Sequence, residues 1–307
     1  DALVANLRPG ATERMGIGGQ QLREINPTIV ETHVTAFGWD GPLSSRPGVD
    51  PLAQAYMGLQ HAQGGEGNQP SYLSHLAPCD YSGGALAAYG TVLGLYVKKK
   101  TGIGQKIDTN LLNMGTLMVN GDFASFKGKE PRRLSDPGQH GMSDFRRLYK
   151  TSDGWIFVNA EGNNSSLQLL EVMNVRNSSC IDSKKHSCIG IDLENEFVER
   201  DSEYWLKFLA SNGISAAPSV EHFSSNIFED NQVIANGMMC TKKLGEEELL
   251  LIQRYINFIG SRDPVVYPTP NLGEHTVEIL IESNIRMDRI NYLKDVGAIK
   301  VHNEQKR

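Results

Sequence analysis

The sequence predicts an α/β protein with a parallel sheet. Three observations carry this. Asp1–Asn6 is a short apolar run broken by Leu7-Arg8-Pro9-Gly10, and Ala11–Met15 and Gln20–Ile25 read as helix. Thr28–Ala36 then alternates β-branched residues (Ile29, Val30, Thr32, Val34, Thr35), which is strand chemistry. Further on, a helix over Asp80–Lys100 leads into a second such run, Gln105–Leu112, which turns into helix. Strand, helix and strand in quick succession imply right-handed βαβ crossovers.

The intervening segments follow from their turn residues. Gly38–Asp50 is a Gly/Pro/Ser loop, Pro51–Leu59 is helical, and Gln63–Pro70 is a polar glycine-rich loop. On the Asp80–Lys100 helix, Gly83, Ala87, Gly90 and Gly94 share one side, so another backbone can approach closely. Lys98, Lys99 and Lys100 complement the dipole of its last turn, and Gly102 can cap it. Lys127–Asp144 reads as a linker rich in Lys, Arg, Pro and Gly, and Phe145–Asn159 as a hairpin turning at Ser152-Asp153-Gly154. Ser166–Met173 reads as helix, Ser178–Ile191 as a surface insertion, Glu194–Ala210 as one long helix and Ile214–Pro218 as a buried run. Phe228–Gly237 is a short helix, Pro264–Pro270 a second linker, and Glu274–Ser283 and Arg286–Val296 are closing helices.

Composition narrows the function. The 307 residues are 39% hydrophobic and 21% charged, ordinary for about two globular domains. The formal charge is −6 and no long basic run breaks it, which speaks against a phosphate-neutralising nucleic-acid binder. The four cysteines form no C-x-x-C pair, and the eight histidines show no H-E-x-x-H or other metal spacing, so no metal is expected. Such cysteine usage fits a reducing compartment, and hence the cytoplasm. Ala85–Val97, the longest uncharged apolar stretch, is shorter than the ~20 residues of a membrane span, and nothing at the start reads as a signal peptide, so no membrane association is expected.

Several residues are candidates for chemistry. Asp80 precedes the small-residue helix in Pro78-Cys79-Asp80-Tyr81-Ser82-Gly83-Gly84. It suits an N-cap. The same place also suits an ionised carboxylate that a ligand can reach over glycines, a possible covalent nucleophile. Asn6–Gly10 lies at a strand end, where α/β sheets bind ligands, and Arg8 and Arg14 could meet phosphates there or simply be solvated. Gly64-Gly65-Glu66-Gly67 lacks the Lys-Ser/Thr of a P-loop, and Cys79 is either a packing residue or a reactive thiol. No G-x-S-x-G elbow supports a hydrolase triad.

Taken in order, these segments form a recognisable set: Asp1–Gly10, Leu22–Pro27, Phe37–Pro42, Arg46–Asp50, Asp80 with its glycine helix, Lys100–Gln105, Tyr149–Trp155 and Leu272–Thr276. The sequence resembles the class III CoA transferases, the family that includes formyl-CoA transferase, carnitine CoA transferase and the α-methylacyl-CoA racemases. The resemblance implies that Asp80 attacks an acyl-CoA thioester and that CoA passes to a carboxylic acid acceptor through anhydride and aspartyl-CoA intermediates. It implies CoA contacts at Asn6, Leu7, Arg8, Arg14 and Met15, a substrate pocket at Val49, Asp50, Glu161 and Gly162, and no tightly bound cofactor, coenzyme A being a substrate. Val49 stands where the racemases have a histidine, which speaks against racemisation. A CoA-dependent lyase or isomerase, or an inactive CoA-binding subunit, are the alternatives.

The resemblance further implies a Rossmann-like large domain built from both chain ends around an inserted small α+β domain, in an interlocked homodimer. The expected division is 1–126 for the first part of the large domain, 127–144 for a linker, 145–263 for the small domain and 264–307 for the return. The family's first βα units would precede Asp1, so the 307 residues are expected to be part of a longer or paired polypeptide.

Overall fold

A computed structural model of the protein describes residues 1–73, 75–175, 188–221, 226–244, 247–252, 255–256, 258–260 and 270–302. The chain divides into two compact units, Asp1–Ser219 and Val220–Arg307.

The first unit begins with strand β1 (Ala2–Ala5), helices α1 (Ala11–Arg14) and α2 (Gly19–Ile25), and strand β2 (Val30–Thr35). Helices α3 (Asp50–Tyr56), α4 (Leu59–Gly64) and α5 (Pro78–Thr101) lead to strand β3 (Lys106–Asn110), followed by α6 (Leu111–Met118) and α7 (Asn120–Phe123). The three strands form a parallel sheet in the order β1-β2-β3, with Ala5 beside His33 and Thr35 beside Asn110. The expected parallel sheet is present.

Residues of β2 point alternately to two covered faces. On one, Thr32 Oγ1 lies 2.7 Å from Thr91 Oγ1 of α5. On the other, the buried Glu31 and His33 meet at 2.5 Å, with Arg23 of α2 3.5 Å from Glu31. Helix α5 starts with Pro78 in its first turn, where a missing N–H does no harm, and ends at Gly102 in the left-handed conformation (φ 76°). Its small residues lie against the sheet. A Cβ on Gly83 would stand 3.7 Å from Val34, near the carboxyl end of β2, and one on Gly94 would stand 2.8 Å from Val30 at its amino end. Helix α5 therefore runs antiparallel to the strands, and its N-terminus lies at the carboxyl edge of the sheet.

The remainder of this unit comprises β4 (Gly141–Ser143), β5 (Arg146–Lys150), β6 (Trp155–Asn159), α8 (Asn163–Val172), α9 (Cys188–Val198), α10 (Ser202–Ser211) and β7 (Ser215–Pro218). The four strands form a sheet in sequence order, antiparallel throughout. The β5–β6 hairpin turns at the expected residues, Thr151 N–H donating to the Gly154 carbonyl at 3.0 Å. Its inward residues Tyr149, Ile156 and Val158 join Leu169, Leu193, Phe197, Trp205 and Leu209 in one apolar core. Arg147 is buried beside this core and pairs with Glu194 at 2.6 Å.

Four details differ from the sequence reading. Glu194–Ala210 is two helices, because Asp201 caps α10 by accepting from Tyr204 N–H at 2.7 Å. The break lets Trp205 Nε1–H donate to the Phe197 carbonyl at 2.7 Å, so both rings enter one core. The stretch Lys127–Asp144 contains strand β4. In Ile214–Pro218 only Ile214 is buried, and Ser215–Pro218 forms β7, the edge strand of its sheet. Leu59–Gly64 adds a helix where the glycine-rich loop was expected to begin. Most of the expected insertion, at 176–187, and of the second linker, at 261–269, lies outside the described residues.

The second unit holds α11 (Asn231–Ala235), a hairpin of β8 (Met239–Leu244) and β9 (Glu247–Ile252), α12 (Thr276–Glu282) and α13 (Met287–Asp295). Asp230 caps α11, and the hairpin was not foreseen. No helix among the described residues is long and apolar enough to cross a membrane.

Candidate active site

Three chain segments converge at the carboxyl edge of the parallel sheet: the turn after β1, the loop after β2, and the start of α5. In the loop after β2, Thr35 Oγ1 accepts from Gly38 N–H at 3.0 Å. Gly48 lies so close to Ala36 and Phe37 that no side chain fits there. This close approach brings the loop back to start α3 at Asp50.

Asp50 is 2% exposed, an unusual place for a carboxylate. It has partners on both oxygens. The side-chain amide of Gln54, one helical turn on, donates to Oδ1, and the backbone N–H of Asp80 donates to Oδ2 at 2.9 Å. One buried carboxylate therefore ties α3 to the first turn of α5.

Asp80 itself is exposed. Its role as N-cap is not realised: Ala77 holds that position, and Asp80 lies within the first turn with its carboxylate free of the backbone. Pro78 starts the helix three residues earlier than an Asp80 cap would have. Partial burial, then the nearby Asp50 charge, hold the Asp80 carboxyl above the usual aspartate range. A more basic carboxylate is a better nucleophile, provided it remains ionised at working pH. Cys79 is fully buried behind it, and burial with the two neighbouring carboxylates pushes its thiol up to about 11. That thiol is protonated at neutral pH and belongs to the packing, with Ala53, Leu111 and Met114. A Cβ on Gly84 would meet nothing within 4 Å, which leaves the approach over α5 open.

The turn after β1 holds the remaining edge residues. Asn6, Arg8, Arg14 and Met15 are exposed and Leu7 is half-buried. Gly10 (φ 78°) starts α1, and the Arg14 guanidinium folds back to about its Cα. Val49 is 59% exposed, immediately before α3. Glu161 and Gly162 belong to the antiparallel sheet instead: Glu161 lies 3.3 Å from Arg146 of β5, and Gly162 (φ 112°) starts α8. The structure thus joins Asp50 to Asp80 directly, places Val49 and the Asn6–Met15 group at the ends of the same sheet, and sets Glu161 and Gly162 on another.

Sequence reasoning missed Gln54. Its spacing from Asp50, four residues along a helix, was the available signal. Among the described residues no group of three or more His, Cys, Asp and Glu side chains could hold a metal ion.

This edge sets an exposed carboxylate, Asp80, beside a buried one, Asp50, at the carboxyl end of a parallel sheet. Residues 1–276 match CoA-transferase family III, and the chain belongs to that family, a class of CoA-transferring enzymes. Among relatives, succinyl-CoA:glutarate CoA-transferase from Homo sapiens is 30% identical over 98% of this chain and 70% of its own length. The (R)-2-hydroxy-4-methylpentanoate CoA-transferase of Clostridioides difficile is 25% identical over 98% of this chain and 77% of its own. Among solved structures, Rv3272 of Mycobacterium tuberculosis aligns with a TM-score of 0.74 at 20% identity, covering 91% of this chain and 76% of that one. A CAIB/BAIF family protein from Brucella suis aligns at 0.73 and 21% identity, covering 92% and 75%. These structural likenesses establish the mixed α/β fold.

Proposed function

We propose that the protein is an acyl-CoA:carboxylate CoA-transferase with Asp80 as covalent nucleophile. An Asp80 carboxylate oxygen attacks the thioester carbonyl carbon, the C–S bond breaks, and CoA leaves as thiolate, giving an aspartyl anhydride. The thiolate attacks the aspartyl carbonyl, releasing the donor carboxylate and leaving an aspartyl-CoA thioester. The acceptor carboxylate then attacks that carbonyl and expels the thiolate, which takes the acceptor's acyl group from the new anhydride and frees Asp80. Splitting one exchange into steps at a single carboxylate is the gain of covalent catalysis.

The observation that carries this reading is the pairing of an exposed Asp80, at the start of α5, with a buried Asp50 that grips its backbone. Asn6, Leu7, Arg8, Arg14 and Met15 would contact CoA, with the arginines meeting its phosphates, and Val49, Asp50, Glu161 and Gly162 would bound the acyl pocket. The name of the human relative makes succinyl-CoA and glutarate the first donor and acceptor to assay. The large-domain, inserted-domain arrangement at 1–126, 145–263 and 264–307, a homodimer and a cytoplasmic setting complete the proposal.

The test is mass spectrometry after mixing the protein with acyl-CoA and trapping with hydroxylamine. A hydroxamate on the Asp80 peptide, absent from Asp80→Ala, is the expected result. An unmodified peptide from protein that binds CoA would overturn covalent aspartyl chemistry.

A further inference from the structure

Gln54 is fully buried on α3, and its amide N–H₂ donates to Asp50. Its own oxygen, Oε1, is buried and has no hydrogen-bond partner among the described residues. A buried acceptor left unpaired is destabilising. For packing alone, an apolar chain of similar volume would serve α3 better. The amide is useful only for what its N–H₂ does: it holds Oδ1 of Asp50, so that Oδ2 stays on the Asp80 N–H at 2.9 Å.

Resting on the reading of Asp80 as nucleophile, we propose that Gln54 is a positioning residue: its amide fixes the Asp50 carboxylate, which in turn fixes the backbone from which Asp80 attacks. The two donors arriving at Asp50 satisfy its ionised form, one on each oxygen. Two titratable groups surround the Asp80 carboxylate here, Asp50 from α3 and Cys79 from its own turn. Without the Gln54 donor, Oδ1 is buried and unmet, the Asp50 carboxyl is free to rotate, and the grip on Asp80 loosens. A misplacement of about 1 Å at a reacting group slows chemistry ~10²-fold.

The experiment compares wild type, Gln54→Met and Gln54→Glu for the rate of hydroxylamine-trapped adduct on Asp80, from about pH 5 to about pH 8, the span over which a buried carboxyl ionises. Thermal unfolding and KM for acyl-CoA are recorded alongside. Gln54→Met is expected to slow adduct formation ~10²-fold with KM little changed. Gln54→Glu is expected to recover most of the rate at the acid end, where a protonated carboxyl donates to Asp50, and to lose it as pH rises and residue 54 ionises. A role in packing alone predicts no such pH profile. If Gln54→Met fails to fold, the Gln54→Glu profile decides alone. A Gln54→Glu rate that follows wild type across the range would overturn the positioning role while leaving Asp80 as nucleophile. A wild-type protein that forms no adduct would instead overturn the nucleophile reading, and this proposal with it.

Discussion

The two sheets of the first unit are built on opposite principles. The antiparallel sheet is closed by large apolar side chains, with Tyr149, Phe197 and Trp205 ring against ring at centroid distances of 4.5 and 5.0 Å. The parallel sheet is closed by small residues on α5, and the buried positions here include Glu31, Thr32 and His33 of β2 and Asp50 and Gln54 of α3. Burial of ionisable groups is unfavourable unless they are paired. The parallel-sheet layer carries that penalty around Glu31, His33 and Asp50, whereas beside the apolar core of the antiparallel sheet the buried charge is Arg147, paired with Glu194. Stability and chemistry are therefore predicted to respond to different substitutions.

The largest expected effect is on chemistry alone. Asp80→Ala, at an exposed position, should lower CoA transfer by ~10³-fold or more with little change in the unfolding midpoint. An equal loss of stability would erase the distinction between the sheets. Next is Phe197→Ala, which opens a cavity in the aromatic core and should reduce stability by about 3–5 kcal/mol in denaturant titration. Adduct formation per folded molecule should be unchanged. Gly94→Leu attacks the other sheet by overpacking, since even a Cβ there stands 2.7 Å from Ile107. It should lose about 1–3 kcal/mol by the same titration.

Asp50→Asn sharpens the comparison electrostatically. Burial first and then the Asp50 charge raise the Asp80 carboxyl, so removing that charge lowers it, and the ionised carboxylate survives to lower pH. The acid limb of the residual adduct-formation rate should move to lower pH, whatever the loss in absolute rate. A limb that moves upward would contradict the assigned neighbour. The smallest effect concerns Cys79, whose burial and raised thiol predict negligible alkylation by iodoacetamide in native protein at neutral pH, read by peptide mass.

Much of this was legible in the residues. The β-branched run around Val30–Thr35, the small-residue face of α5, and the Gly102 cap each name their structure through local sterics. Asp80 by its residues alone suited an N-cap as well as a reachable carboxylate, and its assignment as nucleophile came from the family resemblance. Other features depend on distance in the chain. The break between α9 and α10, capped locally by Asp201, is sealed when Trp205 reaches the Phe197 carbonyl, and the β8–β9 hairpin forms by backbone pairing between two strands.

By itself, then, the sequence determined most of the local units: which segments coil and which extend. These follow from backbone sterics and side-chain periodicity, acting over a few residues. The tertiary structure alone decided that Asp50 is buried, that its two oxygens are shared between Gln54 and the Asp80 backbone thirty residues away, and that Glu161 belongs to the other sheet. Burial and long-range hydrogen bonding are properties of the packed whole, because each needs partners that only folding brings together.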